Sequence, residues 1–271
     1  MAHAPQFDRI LLTGAAGGLG RVLRERSKPF TRVLRISDRA ELGDARPGEE
    51  VVPCDLADAA SVRRLLEGVE AVVHLGGISV EGPFEPILQS NIVGVYNLYE
   101  AARRNGAPRI VFASSNHVTG FHRQSDRIDA EAPMRPDGLY GVSKCFGENL
   151  SRFYFDRYGI ETVCLRIGSS FPEVHDRRML STFLSYDDLV ELVRCALVAE
   201  SPGHTVIYGM SNNTAGWWDN TKASHLGFRP RDSADVQRPR VEAQVPPLDP
   251  ADPAAVYQGG AFVRAGPFEE G

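Results

Sequence analysis

Tyr140 and Lys144, four residues apart in the stretch Tyr140-Gly141-Val142-Ser143-Lys144, are the pair in this chain best suited to acid–base chemistry. The run around them reads as helix, and positions i and i+4 of a helix share one face. A fixed ammonium beside a phenol favours the phenolate. A lowered Tyr140 pKa is therefore expected, which would let the phenol exchange a proton with an alcohol near neutral pH. The same spacing also occurs on the solvated face of ordinary amphipathic helices, and composition helps to choose between the two readings. Only Lys28, Lys144 and Lys222 among the 30 basic residues are lysines. With so few, roughly 0.1 Tyr-x-x-x-Lys pairs are expected by chance. The chain writes its other positive charges as arginine, so a compact ammonium at this position is a chemical choice.

A base of this kind needs a partner to take electrons and a substrate to lose them, and the elements before it read as a cradle for such a partner. Arg9 to Leu12 is a short apolar strand running into Thr13-Gly14-Ala15-Ala16-Gly17-Gly18-Leu19-Gly20, after which Arg21 to Arg26 reads as helix. A glycine-rich turn between strand and helix brings backbone N–H groups and the positive end of the helix to a phosphate. The spacing Gly14-x-x-Gly17-x-x-Gly20 differs from the G-x-G-x-x-G dinucleotide fingerprint, and a plain tight turn is the competing reading. A second strand, Arg32 to Ser37, ends in Asp38, where an acid would hold the ribose 2′-hydroxyl of NAD and repel a 2′-phosphate. Arg39 beside it keeps NADP open, since an arginine can pair with that phosphate.

Val51 to Cys54 reads as a third strand closed by Asp55-Leu56, with Ala57 to Glu67 as the crossover helix. Asp55 could accept from an adenine amino group, or Asp55 or Asp58 could cap the helix. Val72 to Leu75 runs into Gly76-Gly77, where the lack of side chains lets a ribose lie against the backbone. A loop with Ser79, Gly82 and Pro83 leads into a long helix around Ile87 to Asn105 that carries Asn91. The fifth strand, Arg109 to Ala113, delivers Ser114-Ser115-Asn116-His117 at its end, so that a hydroxyl can meet Tyr140 at one substrate atom. The Tyr140 helix continues toward Tyr158. Glu161 to Leu165 follows as a strand, ending in Arg166-Ile167-Gly168-Ser169-Ser170-Phe171-Pro172 and a polar loop through Arg177 and Arg178.

Ser185 or Asp187 caps a helix with Leu189, Val190, Leu192, Val193 and Leu197 at helical spacing. Thr205 to Tyr208 reads as a last strand, and Asn220 to Leu226 as a short helix. Arg229 to Pro253 is rich in proline and charge, and is expected to lie as an arm over a surface or another subunit. The alternation predicts an α/β fold, a Rossmann-type doubly wound parallel sheet with helices on both faces. Residues 8–210 would form the dinucleotide-binding domain with an inserted substrate loop near 168–184. Residues 211–271 would add a small C-terminal extension that caps the substrate and is not an independent domain.

The net charge of −5 leaves no electrostatic footprint for nucleic acid or an anionic membrane, which makes small-molecule chemistry the expectation. Cys54, Cys145, Cys164 and Cys195 are too widely spaced for a zinc ribbon or redox motif, and read as reduced core thiols. His74, His117, His122 and His175 do not fall at metal-ligand spacing. No stretch approaches 18 apolar residues and no signal core precedes the first strand, so a soluble, cytoplasmic protein is expected.

Taken in order, Gly14-x-x-Gly17-x-x-Gly20, Asp38, Asp55, Ser115 and Tyr140-x-x-x-Lys144 resemble the extended short-chain dehydrogenase/reductase superfamily over roughly residues 8 to 210. Ser114-Ser115-Asn116-His117-Val118-Thr119-Gly120, Arg166 to Pro172 and Arg177-Arg178-Met179-Leu180-Ser181-Thr182 narrow the resemblance to uronate dehydrogenases. Sugar epimerases of the superfamily usually carry Val-Tyr-Gly in place of Val118-Thr119-Gly120, and a longer C-terminal half. The resemblance implies NAD-dependent oxidation of cyclic D-glucuronate or D-galacturonate at C1, giving the aldaric acid lactone and NADH, in a homo-oligomer. It implies Tyr140 as base, Lys144 as the group that lowers its pKa and holds the nicotinamide ribose, and Ser115 as the orienting hydroxyl. Implied cofactor contacts are Gly14, Gly17, Gly18, Leu19, Gly20, Asp38, Arg39, Asp55, Leu56, Leu75, Gly76, Gly77, Asn91, Tyr140, Lys144 and Ile167. Implied substrate contacts are Ser79, Ser115, Asn116, His117, Tyr140, Ser169 and Arg178, with the Arg178 fork suited to a carboxylate. Two rivals differ in chemistry. A nucleotide-sugar epimerase or dehydratase would keep its NAD, and a non-catalytic dinucleotide-binding regulator would have no need of Tyr140, Lys144 and Ser115.

Overall fold

The computed structural model describes residues 6–106 and 108–268. Its first half largely alternates strand and helix: β1 (Phe7–Thr13), α1 (Gly18–Arg26), β2 (Thr31–Ser37), β3 (Glu49–Val51), α2 (Ala59–Leu65), β4 (Ala71–His74), α3 (Phe84–Ile87), α4 (Gly94–Arg104) and β5 (Arg109–Ser115). The second half adds β6 (Ile128–Asp129), α5 (Leu139–Tyr158), β7 (Thr162–Ile167), α6 (Met179–Thr182), α7 (Tyr186–Val198), β8 (His204–Gly209), β9 (Trp218–Asp219), α8 (Arg238–Gln244) and α9 (Pro253–Val256). Seven strands form one sheet in the order β3-β2-β1-β4-β5-β7-β8, every pair parallel, while β6 and β9 make a separate two-stranded pair. The chain leaves β1 toward β2 on one side and returns to β4 on the other. A crevice therefore opens above the carboxyl ends of β1 and β4, where ligands of open α/β sheets bind.

The central strands are apolar on both faces because both are covered, as parallel sheets require. Ile10 and Leu12 face α1 and α7, packing with Leu23, Leu189, Leu192 and Val193. Leu11, one residue out of phase, faces the other way into a layer with Val62 and Leu65 of α2, Leu98 and Tyr99 of α4, and Tyr154 of α5. The two layers fix the sheet from both sides and leave only its upper rim free to carry chemistry.

Several boundaries differ from the expectation, for local reasons. The third strand lies at Glu49–Val51 and not at Val51 to Cys54, because its partner β2 pairs Leu34–Ile36 with these residues. Arg24 and Lys28 hold the Glu49 side chain, which makes a charged residue a stable part of this edge strand. The long helix expected from Ile87 starts earlier, at Phe84, and passes through a π-helical stretch, Leu88–Val93, before α4. Asp58 caps α2, accepting from Ala60 and Ser61 N–H, while Asp55 accepts from Ala57 N–H one turn earlier. Ser185 caps α7. The helix expected at Asn220 to Leu226 is a 3-10 stretch, Thr221–Leu226. The tail takes the first of its two expected places, a surface, and that surface belongs to its own chain. Ala234 and Val241 pack on Val174, Met179, Leu180 and Phe183, so the tail folds onto its own chain around the 168–184 loop.

Candidate active site

The turn between β1 and α1 approaches the strand end so closely that only glycine fits. Gly14 has φ +70°, and a Cβ there would sit 2.7 Å from Gly76 N. A Cβ on Gly20 would strike the Gly14 carbonyl and Ala15 backbone, whereas one on Gly18 would meet nothing and project into open space. The result is a bare backbone floor at the N-terminus of a nine-residue helix, a shape that could receive a phosphate group. Asp38 closes it at the end of β2: one oxygen accepts from Ala16 N–H (3.0 Å) and the other from Ala40 N–H (3.0 Å). Arg39 pairs loosely with Asp55 at 3.8 Å on the exposed rim.

These groups line one cavity of about 890 Å³ that runs from the glycine turn to Tyr140 and beyond. All of the expected cofactor and substrate residues line it except Asn91. The structure corrects that one assignment. Asn91 is buried in the π-helical stretch behind the wall, where its amide bonds the N–H and carbonyl of Ile78 and the hydroxyl of Ser143. Its work is to pin the loop leading to Ser79 and the Tyr140 helix to one another. An amide is needed because it both donates and accepts, and sequence spacing gives no sign of that partner choice.

Tyr140 and Lys144 lie in the first two turns of α5, both buried. The ammonium donates to the Ala113 carbonyl (2.8 Å) and lies 5.6 Å from the Tyr140 ring centroid. Burial lowers the Lys144 pKa to about 8. Burial also pushes the Tyr140 phenol up to about 12, with Ser115 acting against the rise and Asp137 adding to it. This departs from the lowered value expected from sequence, because desolvation of the anion outweighs an ammonium that is engaged elsewhere. The N-terminus of α5 is held across 59 residues by Glu81, whose carboxylate accepts from Leu139 N–H (2.8 Å) and Tyr140 N–H (2.9 Å).

Ser115 is the last residue of β5, and Asn116 and His117 follow on a 3-10 turn, so all three reach the rim beside Tyr140. The Asn116 amide, turned to satisfy its neighbours, donates to the Ile167 carbonyl (3.0 Å) and accepts from Arg178 Nη2 (2.7 Å). Arg178 Nε donates to the Gln258 carbonyl (2.6 Å), and Nη1 reaches Ser169 Oγ at 3.4 Å. Every one of these partners is a neutral oxygen. Burial lowers the Arg178 pKa from its usual value, while Asp176 and Asp137 act from farther off to support its charge. Arg177 instead turns outward, donating to the Val245 and Glu242 carbonyls and tying down the tail.

Sequence reading missed the far wall. Gln258 is buried and fully bonded, accepting from Trp218 Nε1 (2.9 Å) and donating to the Arg123 and Asp126 carbonyls. It seats the segment that brings Gly259, Ala261 and Phe262 to the cavity. The Phe262 ring stacks on His117 with centroids 3.8 Å apart. Gly259-Gly260 between two aromatic residues was a visible sign of close packing, but nothing in the chain names a partner more than a hundred residues away.

A family model described as the NAD dependent epimerase/dehydratase family matches residues 10–187. The chain is similar to a uronate dehydrogenase of Pseudomonas syringae pv. tomato, with 59% identity over 270 residues and 98% of each chain covered. A crystal structure of uronate dehydrogenase from Agrobacterium tumefaciens superposes with a TM-score of 0.95 at 53% identity, covering 100% of both chains. A mutant of that enzyme complexed with NAD gives the same TM-score and identity, covering 97% of this chain and 100% of that one.

Proposed function

The chain belongs to the uronate dehydrogenases of the NAD dependent epimerase/dehydratase family, and on that premise we propose that it oxidises D-glucuronate or D-galacturonate at C1, giving the aldaric acid lactone and free NADH. Arg178 is the observation that carries the choice of substrate class. A guanidinium taken from water and surrounded by neutral oxygens lacks a counter-charge, and the C6 carboxylate of a uronic acid supplies one in bidentate geometry.

The glycine floor fits NAD. Gly14, Gly17, Gly18, Leu19 and Gly20 would hold the diphosphate, Asp38 the adenosine ribose, and Asp55 and Leu56 the adenine. Leu75, Gly76, Gly77, Ile167, Tyr140 and Lys144 would hold the nicotinamide half. When bound, NAD supplies the hydride acceptor and a positive charge near Tyr140 that offsets the burial cost of its phenolate. Tyr140 removes the proton of the anomeric hydroxyl as C1 is oxidised, and Ser115 holds the same oxygen in line. Lys144 keeps a positive charge beneath them. Ser79, Asn116, His117 and Ser169 fix the sugar ring, and Arg178 fixes its orientation through the carboxylate. The ring oxygen stays bonded to C1, so the oxidised product is a lactone.

Residues 8–210 act as the dinucleotide-binding domain, with the 168–184 loop and residues 211–271 forming a substrate cap. The enzyme is cytoplasmic; no helix among the described residues is long and apolar enough to cross a membrane. It assembles as a homo-oligomer, a reading supported by the exposed rings of Tyr96, Phe153 and Tyr158 on α4 and α5. Sedimentation at a monomer's mass would remove that part. The activity is tested by mixing protein, NAD and a panel of uronic acids and following NADH absorbance. Accumulation with uronates and not with the neutral parent sugars is expected. An enzyme that keeps its NAD, as an epimerase does, would accumulate none.

A further inference from the structure

Asp137 lies just ahead of α5 and does not line the cavity, yet two other parts of the chain, the His117–Gly120 turn and the segment at Gly259, converge on its carboxylate. Oδ2 is 2.7 Å from His117 Nδ1, and the Asp137 side chain has no exposed surface. A Cβ on Gly120 or on Gly259 would run into that same oxygen, and Gly259 N–H donates to the Gly120 carbonyl at 2.8 Å. Two glycines therefore clear space for one buried acid. Its other oxygen, Oδ1, is buried without a protein partner among the described residues, which leaves His117 as its main compensation. A carboxylate only accepts, so the proton of the neutral imidazole resides on Nδ1 and Nε2 is left as an acceptor. The ring is held in that pose by Phe262 stacked on its face and by Tyr140 at 5.8 Å, edge to face.

We propose that Asp137 is a positioning residue for the reaction: it fixes His117 in the Nδ1–H tautomer, so that Nε2 accepts a hydrogen bond from a sugar hydroxyl other than the one being oxidised. This rests on the reading of the cavity as a uronate site. The substrate must then present a hydroxyl donor at that place, and an analogue lacking it leaves a desolvated nitrogen unpaired.

The charged groups around His117 set a pH signature. Burial works most strongly to keep the ring neutral and Arg178 adds to this, while Asp137 and Glu81 favour the imidazolium; the net effect lies below the usual imidazole value. Tyr140 faces it as a neutral phenol. Acid protonates Nε2 and abolishes the acceptor, so kcat/KM falls on the acid side. Asp137→Asn removes the group that favours the imidazolium, which moves this acid limb to lower pH. It also offers an N–H to Nδ1, which selects the wrong tautomer and lowers the plateau by about 10²- to 10⁴-fold.

The experiment is the pH profile of kcat/KM with NAD and glucuronate for the parent, Asp137→Asn, His117→Gln, their double variant and His117→Ala. Expected are a lower plateau with a displaced acid limb in Asp137→Asn, and less than about a threefold further loss when Asp137→Asn is added to the His117→Gln variant. A full loss in both backgrounds, or a lowered plateau with an unmoved limb, assigns Asp137 to packing and overturns the proposal. Unchanged kcat/KM in His117→Ala would instead remove His117 from the substrate site, a failure of the underlying reading. If Asp137→Asn does not fold, nitrogen-15 shifts of the His117 ring in the parent enzyme report the tautomer directly, and an Nε2–H form overturns the proposal.

Discussion

On the proposed reading Arg178 recognises the substrate and Tyr140 moves the proton, and their surroundings differ accordingly. Arg178 is oriented by three neutral oxygens that fix its fork without neutralising it. Arg178→Ala is therefore predicted to cost about 2 to 5 kcal/mol in kcat/KM for uronates and little for the neutral parent sugar. A matched loss on both sugars, read from initial NADH rates, would exclude the carboxylate clamp. Lysine should restore little, because a single ammonium cannot occupy three fixed oxygens and a carboxylate in one plane. Tyr140→Phe removes the proposed proton acceptor and is predicted to cut turnover by orders of magnitude while NAD titration is nearly unchanged. Turnover near the parent's would end the assignment. Because burial raises the phenol above its ordinary value and bound NAD only offsets that rise, parent activity should also increase from neutral into alkaline pH. Tyr140 and Ser115 could be proposed from the chain because each stands at a strand or helix end, whereas Arg178, in a polar loop, was singled out only through the family resemblance. The direction of the Tyr140 shift was not legible. Spacing reports who is near, whereas burial, which dominates here, is a property of the folded surroundings.

Helix α5 must keep Tyr140 in line with Ser115 of β5, and a buried ion pair ties the two together. Glu148, two turns beyond Tyr140, accepts from Arg166 of β7 through both oxygens (2.9 and 2.8 Å) and from Ser114 Oγ (2.5 Å), the neighbour of Ser115. Both charged side chains are 2% exposed, and Arg166 also donates to Tyr208 OH (3.1 Å). Glu148→Ala would strand a buried guanidinium, with a predicted loss of about 3 to 5 kcal/mol in denaturant unfolding. A loss below about 1 kcal/mol would show that water or another group replaces the carboxylate. At this scale sequence reading succeeded with the parallel strands, whose apolar runs are bounded by charge and glycine. It missed the π-helical stretch and the position of β3, since both depend on tertiary partners: the Asn91 amide bonds in one case, and Arg24 and Lys28 around Glu49 in the other.

The same Glu49 sets an acid limit for the molecule as a whole. Burial works to raise its pKa, but Arg24, the Arg46 N–H and Lys28 outweigh that and hold it at about 2, below the ordinary 4.5. A carboxylate depressed in the folded state stabilises fully above its unfolded value, and that contribution is lost as pH falls from about 4.5 toward 2. Glu49→Gln should flatten the stability profile in that window when urea midpoints are followed against pH. An equal slope in both proteins would show that other acids govern the decline. The tail was the least legible part of the whole. Its proline and charge suggested an arm, and its real anchor, Gln258 inserted beneath Trp218, is a single polar side chain with no periodicity to announce it.

The position of that anchor has a consequence for how the enzyme comes into being. Every strand of the seven-stranded sheet, and with it the glycine floor, Asp38 and the Tyr140 helix, leaves the ribosome before Gln258 does. A nascent chain can therefore close its nucleotide cradle while the sugar side is still open, with Arg178 awaiting the carbonyl that aims it. On the proposed reading, competence for cofactor would precede competence for substrate, and the stretch around Gln258, made after the sheet, would complete the sugar side of the cavity.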